Sequence, residues 1–192
     1  MRKVRIPMSD IAVIYKSHYG FTEAYARWIA EDLSADLLEA GKVRREDLEK
    51  YGTIIYGGGL YAGGVNGISL LVKNAELLLG KKLYLFTVGA SDPADPENIN
   101  NIWNGIAKAL PPNMLETIRI YHMRGGLRYS KMSMVHRTMM AMLRKVLLNK
   151  PEAELRSEDR ALLETYGRDV SFLDRAAIAP LVEDIRQGTV CA

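Results

Sequence analysis

The sequence predicts an α/β protein built on a doubly wound parallel sheet. Two observations carry that expectation: apolar runs of strand length alternate with helical patterns, and the runs are near-continuous rather than apolar at every second position. A strand apolar along its whole length is covered on both faces, as helices on either side of a parallel sheet leave it. A third observation concerns the segments that follow the runs, which are rich in glycine and hydroxyls. Ligands of such sheets sit beyond the carboxyl ends of the strands, where strand order reverses.

The strands are expected at Ile11 to Tyr15, Thr53 to Tyr56, Leu83 to Val88 and Ile118 to Met123, with a weaker one at Asp36 to Ala40. Helical patterns lie between them at Glu23 to Leu33, Ile68 to Leu79 and Pro96 to Leu110. The last has Asp95 as N-cap, Pro96 in the first helical position and Pro111-Pro112 as a stop. Ser157 to Gly167 reads as a capped surface helix, and Asp174 as the cap of the last helical region, which Pro180 restarts.

The first strand runs into Ser17-His18-Tyr19-Gly20-Phe21-Thr22. Amides that open a helix have no intrahelical partner and carry the positive end of its dipole, so a phosphate fits among them. Ser17 and Thr22 can add hydroxyl donors, and Gly20 allows close approach. No Lys follows the glycine as a triphosphate loop requires, so a terminal monophosphate is expected. The plain alternative is a strand-to-helix turn with Thr22 as N-cap.

Two further loops face that turn: Gly57-Gly58-Gly59-Leu60-Tyr61-Ala62-Gly63-Gly64 and Gly89-Ala90-Ser91-Asp92-Pro93. Their backbones can approach a flat ring, and Tyr61 can stack on its face. Gly57-x-Gly59-x-x-Ala62, with Glu76 about twenty residues on, also matches the form of a dinucleotide fingerprint. Gly63, Gly64, Asn66 and Gly67 delay the helix that this motif needs, and Glu76 falls inside a helix.

Composition sets bounds. At 48% hydrophobic and 26% charged residues, the 192-residue chain is globular and fits one domain, or one domain plus an insertion. A single cysteine, Cys191, excludes an internal disulfide and a cysteine-based metal site, and the reducing cytoplasm is the expected compartment. Met1 to Asp10 lacks the apolar stretch of a signal peptide, and no run approaches a membrane span. His18, His122 and His136 lack metal-ligand spacing, with His18 expected in a polar contact or facing solvent and His122 in the core. No nucleophile elbow marks a hydrolase, and nucleic acid is not an expected partner.

The net charge of +3 conceals an asymmetry. Thr117 to Pro151 contains no Asp or Glu but holds eight of the 26 basic residues, so the remainder of the chain is acidic. Met132, Val135, Met139, Met142, Leu143 and Val146 recur there at helical spacing beside Arg137, Arg144 and Lys145. Flexible thioethers suit contact with a flat apolar molecule. Arg124, Arg128, Lys131 and Arg137 would attract a carboxylate-bearing substrate, and the same charges an anionic membrane surface. The plainer expectation is a helix packed on the sheet with a solvated basic face.

Tyr15-Lys16-Ser17-His18-Tyr19-Gly20-Phe21-Thr22-Glu23 resembles the phosphate loop of the flavodoxin family, and the order of elements across nearly the whole chain is similar. The resemblance implies a five-stranded parallel sheet of order 2-1-3-4-5 and the cofactor FMN. Its phosphate would be held by Ser17, His18, Tyr19, Gly20, Phe21 and Thr22. Gly58, Gly59, Leu60, Tyr61, Ala62, Gly63, Gly89, Ala90, Ser91 and Asp92 would flank its ring. One departure is Tyr19, where the usual loop has Thr or Ser. Arg124-Gly125-Gly126-Leu127-Arg128-Tyr129-Ser130-Lys131, continuing to His136-Arg137, is similar to the inserted segment of the flavodoxin-like, menaquinone-dependent protoporphyrinogen oxidases. That resemblance implies a single domain with an insertion at about 124–151, and an oxidoreductase of haem biosynthesis that passes electrons to a quinone at the inner membrane surface, with no side chain required as catalytic acid or base. An electron carrier and a flavin-free scaffold protein are the other functions this fold serves.

Overall fold

A computed structural model describes residues 9–61 and 64–190. Its strands are β1 (Ile11–Lys16), β2 (Asp36–Glu39), β3 (Thr53–Tyr61), β4 (Gly64–Val65), β5 (Lys82–Gly89), β6 (Arg119–Arg124), β7 (Gly126–Leu127) and β8 (Val170–Ser171). Its α-helices are α1 (Phe21–Asp32), α2 (Arg45–Leu48), α3 (Ser69–Lys73), α4 (Ala75–Leu78), α5 (Pro96–Ala109), α6 (Pro112–Leu115), α7 (Met134–Leu148), α8 (Ser157–Thr165) and α9 (Ala179–Val190).

The main sheet has the order β2-β1-β3-β5-β6, all parallel, which is 2-1-3-4-5 when the parallel strands alone are counted. The expected sheet is therefore borne out. Alternate residues of the central strands enter two separate cores, which explains why the sequence runs are apolar throughout. Ala12, Ile14, Ile54, Tyr56, Leu83 and Leu85 pack against Leu71, Leu78, Ile106 and Met114 on one face. Val13, Ile55, Tyr84 and Phe86 pack against Tyr25 and Ile29 of α1 and Leu181, Val182 and Ile185 of α9 on the other.

Three boundaries differ from expectation, each for a local reason. β3 does not stop at Tyr56: it continues through the glycines to Tyr61, pairing Gly57 with Phe86 and Leu60 with Val65. The glycines are strand residues because a Cβ at Gly57 would overlap the Phe86 ring and one at Gly58 would overlap Val65. The helix expected over Ile68 to Leu79 is broken at Asn74, whose side-chain amide donates to the Leu70 carbonyl at 2.8 Å. Asp95 caps α5 through the Glu97 amide as expected, but Pro112 opens the short helix α6 instead of only ending α5.

The chain leaves the sheet after β6 and makes an excursion before α9. Its root is tied by the Phe172 amide donating to Gly125 O at 2.7 Å, by β7 pairing with β8, and by Tyr25, whose hydroxyl donates to Arg124 O at 2.7 Å and accepts from the Asp174 amide. The excursion closes where Gly126 pairs with Ser171 and Leu127 with Val170. Within it α7 and α8 are joined by Arg144 over the Tyr166 ring and by Lys150 to Asp159 at 3.4 Å. Asp174 caps the return through the Ala176 amide, as read from the sequence. No described helix is long and apolar enough to cross a membrane.

Candidate functional site

The site grows from the turn between β1 and α1, at the point where strand order reverses. Gly20, not Thr22, is the N-cap: at φ 90° it adopts a backbone that a side chain would strain. Its amide donates to Ser17 Oγ at 3.0 Å, and its carbonyl accepts from Ala24 to begin the helix. The amides of the first helical turn have no carbonyl ahead of them, so they remain as donors at the positive end of α1. Ser17 accepts with its oxygen and keeps its proton to give. Thr22 is buried, and Gly59 leaves its hydroxyl accessible, since a Cβ there would lie 3.2 Å from Thr22 Oγ1.

From this turn a cavity of about 600 Å³ extends across the strand ends. Gly59, Leu60 and Tyr61 at the end of β3 form one wall, and Val88, Gly89 and Ala90 at the end of β5 the other. Gly89 must be bare, because a Cβ would come within 2.8 Å of Leu60 Cδ1. Gly125, Gly126 and Leu127 complete the strand side, and His136, Met139, Met140 and Leu143 of α7 lie across from them. Among the described residues no Asp, Glu, Lys or Arg lines this cavity. A second basin of about 670 Å³ opens at the β2 edge, but its charged rim is self-paired, with Lys42 2.7 Å from Glu39 and Lys50 3.0 Å from Asp47.

Helix α7 is fastened to the turn by aromatic and imidazole groups. The Tyr19 hydroxyl is hydrogen-bonded to His136 Nδ1, and His18 stands edge-on to Tyr19 with ring centres 4.6 Å apart. The Tyr61 ring lies 4.8 Å from His136, and its hydroxyl donates to Met139 Sδ at 3.6 Å. Burial, and then the neighbouring Tyr61, push the Tyr19 phenol above its ordinary pKa, so it stays protonated near neutrality. The departure at Tyr19 thus gives the turn a hydroxyl that reaches α7.

The expected cofactor residues divide into three groups. Ser17, His18, Tyr19, Phe21, Thr22, Gly59, Leu60, Tyr61, Gly89 and Ala90 line the cavity. Gly20 shapes the turn without lining it, while Gly58 is packed beneath Val65. Asp92 receives the Ala94 amide at 2.9 Å and lies 3.3 Å from Arg124, and neither it nor Ser91 faces the cavity. Ala62 and Gly63 lie outside the described residues, as does Cys191.

The four cations expected to gather substrate carboxylates do not converge, and none lines the cavity. Arg124 donates to Ala90 O and stacks over Phe172, Arg128 stacks over Phe21, Arg137 donates to Tyr129 O and Ser130 O, and Lys131 is exposed. The dinucleotide reading also fails, because Gly57 and Gly59 lie within β3 and no helix begins before Ser69. His122 is half-buried, its Nδ1 2.8 Å from Thr87 Oγ1, and burial lowers its pKa. Among the described residues no group of His, Cys, Asp and Glu could hold a metal ion.

Met140, Leu127 and Asn66 line the cavity without having been singled out as site residues from the sequence. Met140 could have been found from its position one residue after Met139 and four after His136 on a helix. Helix α7 also departs from the plain expectation of packing on the sheet. Met134, Val135, Met142 and Val146 are 75%, 67%, 64% and 57% exposed, and Leu147 is its one described residue that is fully buried.

A family model described as a flavodoxin domain matches residues 12–154. Among solved structures, oxidised Flavodoxin 2 from Bacillus cereus is 17% identical, with 90% of this chain and 99% of that one covered at a TM-score of 0.41. The WrbA-like flavodoxin of Agrobacterium tumefaciens is 21% identical, covering 59% of this chain and 82% of its own at 0.41. The Trp repressor binding protein of Bacillus subtilis is 15% identical, covering 60% and 84% at 0.45. No curated protein matches the chain.

Proposed function

This chain belongs to the flavodoxin domain family, whose cofactor is FMN, and we propose from that premise that it is an FMN-dependent oxidoreductase acting on a flat, uncharged partner molecule held under α7. The observation that carries the reading is one continuous cavity that begins at a turn of free helix amides and ends under an apolar helix, with no Asp, Glu, Lys or Arg among the described residues of its lining.

The residues fit the cofactor. The phosphate would sit among the first amides of α1 with the hydroxyls of Ser17 and Thr22, and the ring between Gly59 to Tyr61 and Gly89 to Ala90. Bound there, FMN supplies the redox chemistry. The protein's own part is placement and exclusion: bare glycines let the walls close on a planar group, and His136, Met139, Met140 and Leu143 cover it. His18 and His136 are the imidazoles near that cover, each with a ring N–H able to donate to a carbonyl, while the Tyr61 hydroxyl is engaged by Met139 and that of Tyr19 by His136.

The neutral lining favours a quinone-like acceptor over a carboxylate-bearing porphyrinogen within this class, since none of the four cations reaches the cavity. The cover of α7 favours an enzyme over an electron carrier, which docks a protein partner at the open edge of its site. For the outer face of α7, exposed methionines and valines beside Lys145, with no acidic residue from 117 to 151, support an anionic bilayer surface as partner.

The decisive test is titration of the purified protein with FMN while following flavin fluorescence and the melting temperature. FMN at one hundred times its dissociation constant should add about 2.7 kcal/mol of stability. A melt unmoved by saturating FMN refutes the reading.

A further inference from the structure

We propose that Arg128, carried by the excursion, is the cation that recognises the terminal phosphate of the cofactor. It makes the site selective for a phosphorylated flavin over the unphosphorylated one. The inference rests on the flavoprotein reading above and assigns Arg128 to the phosphate end of the site, not to the substrate.

Arg128 lies against the turn between β1 and α1. One guanidinium nitrogen of Arg128 lies 3.7 Å from the point where a Gly20 Cβ would project, and the guanidinium carbon stands 4.9 Å from the centre of the Phe21 ring. Gly20 is the N-cap of α1 and Phe21 its first residue, so the charge rests against the turn whose free amides face an anion. Stacking on Phe21 fixes the planar fork without using its donors.

The guanidinium also lacks a competing partner. Among the described residues the Arg128 side chain forms no hydrogen bond or ion pair, its carbonyl alone accepting from the Lys131 amide at 3.1 Å, whereas Arg27, Arg119, Arg124, Arg156 and Arg175 all sit within 4.0 Å of a carboxylate. Asp169 is the nearest acid to act on it, through space, and its two oxygens are taken by the Ser130 amide and hydroxyl. A half-buried guanidinium with five donors and no acceptor is held ready for one.

Other nearby cations are directed elsewhere. Lys16 packs its stem on Gly67 and ends 3.9 Å from the Gly41 side, and Arg27 is bound to Glu23 at 2.6 Å. The first turn of α1 therefore has acidic Glu23, already neutralised, and one uncommitted positive charge facing Gly20. A phosphate monoester carries up to two negative charges, of which the amides and hydroxyls disperse one. Arg128 neutralises the other, and in doing so ties the excursion to the occupied site.

Fluorescence titrations of wild type, Arg128→Gln and Arg128→Lys with FMN and with riboflavin test this. Losing a charge-assisted hydrogen bond should weaken FMN about tenfold or more in Arg128→Gln, with riboflavin changed less than about twofold. Arg128→Lys should recover part of the loss, and amide exchange over residues 126–131 should slow with FMN but not with riboflavin. Equal affinity of Arg128→Gln and wild type for FMN overturns the proposal, as does an equal loss for both flavins, which marks a structural role only. A wild type that binds neither flavin removes the flavoprotein reading and this inference together, so the two failures are told apart by the wild-type titration alone.

Discussion

Replacing Gly57 by Ala tests whether the triple glycine serves the sheet or a loop. In the structure Gly57 lies in the middle of β3 between Tyr15 of β1 and Phe86 of β5, with both ladders paired. A Cβ there would overlap the Phe86 ring, with Cε1 and Cε2 each at 2.6 Å, and Phe86 is completely buried. The ring cannot swing into solvent and β3 cannot shift sideways, so the methyl must be accommodated by displaced rotamers. Overpacking of this kind costs about 1–3 kcal/mol, and the double constraint puts Gly57→Ala at the upper end. For a protein of this size that is a fall in melting temperature of roughly 6–12 °C. Gly80→Ala is the control, since nothing lies within 4 Å of its Cβ and its effect should stay within about 0.5 kcal/mol. Adding Phe86→Leu to Gly57→Ala should restore part of the loss, a coupling of about 1 kcal/mol in a double-mutant cycle. The assay is thermal denaturation followed by circular dichroism, without added flavin. A melting temperature for Gly57→Ala within a degree or so of wild type would falsify the tight β3 to β5 packing.

Removing the cap in Asp95→Ala should cost about 1 kcal/mol, measured by urea denaturation, because the Glu97 amide then has no acceptor. Tyr19→Phe should leave FMN affinity within about threefold but speed amide exchange in α7, since it removes the bond to His136. His122 should contribute a pH dependence. Its folded pKa lies below the unfolded value near 6.5, so stability is complete above about pH 7 and declines as the pH falls through the unfolded pKa toward the folded one. His122→Gln should flatten that limb of a melting-temperature profile, and an unchanged profile would assign the dependence to other groups. Val146→Glu with Met142→Glu should abolish co-sedimentation with anionic vesicles while FMN still binds, because both side chains are more than half exposed.

Much of the frame was legible because it is governed by periodicity that local residues report. Ile11 to Tyr15 and Leu83 to Val88 are apolar at every position, and that pattern has few solutions other than a sheet covered on both sides. The turn between β1 and α1 was equally local: Ser17, Gly20 and Thr22 lie within six residues, and a strand ending as a helix begins leaves amides free whatever the rest of the chain does. The caps at Asp95 and Asp174 follow from the same short-range chemistry.

What distant contacts set was read less well. Gly57 and Gly58 have the composition of a loop, and only Phe86 and Val65, brought alongside by strand pairing, make them strand residues. Asn74 breaks a helix that the apolar spacing would have continued. The positive charge from 117 to 151 was visible, but its distribution was not: Arg124 turned to Asp92, Arg137 to backbone carbonyls, and Arg128 to the turn at Gly20.

Residues within a few positions of one another therefore set the strand and helix order, the double-sided burial and the turn whose helix amides are left free. Distant contacts set the rest: α7 covers the cavity through Tyr19 and His136, 117 positions apart, and among the described residues no Asp, Glu, Lys or Arg lines it. Neither could be read from spacing, because the direction of an excursion from the sheet is fixed by where it returns, here at Gly125 and Phe172, and not by its own composition.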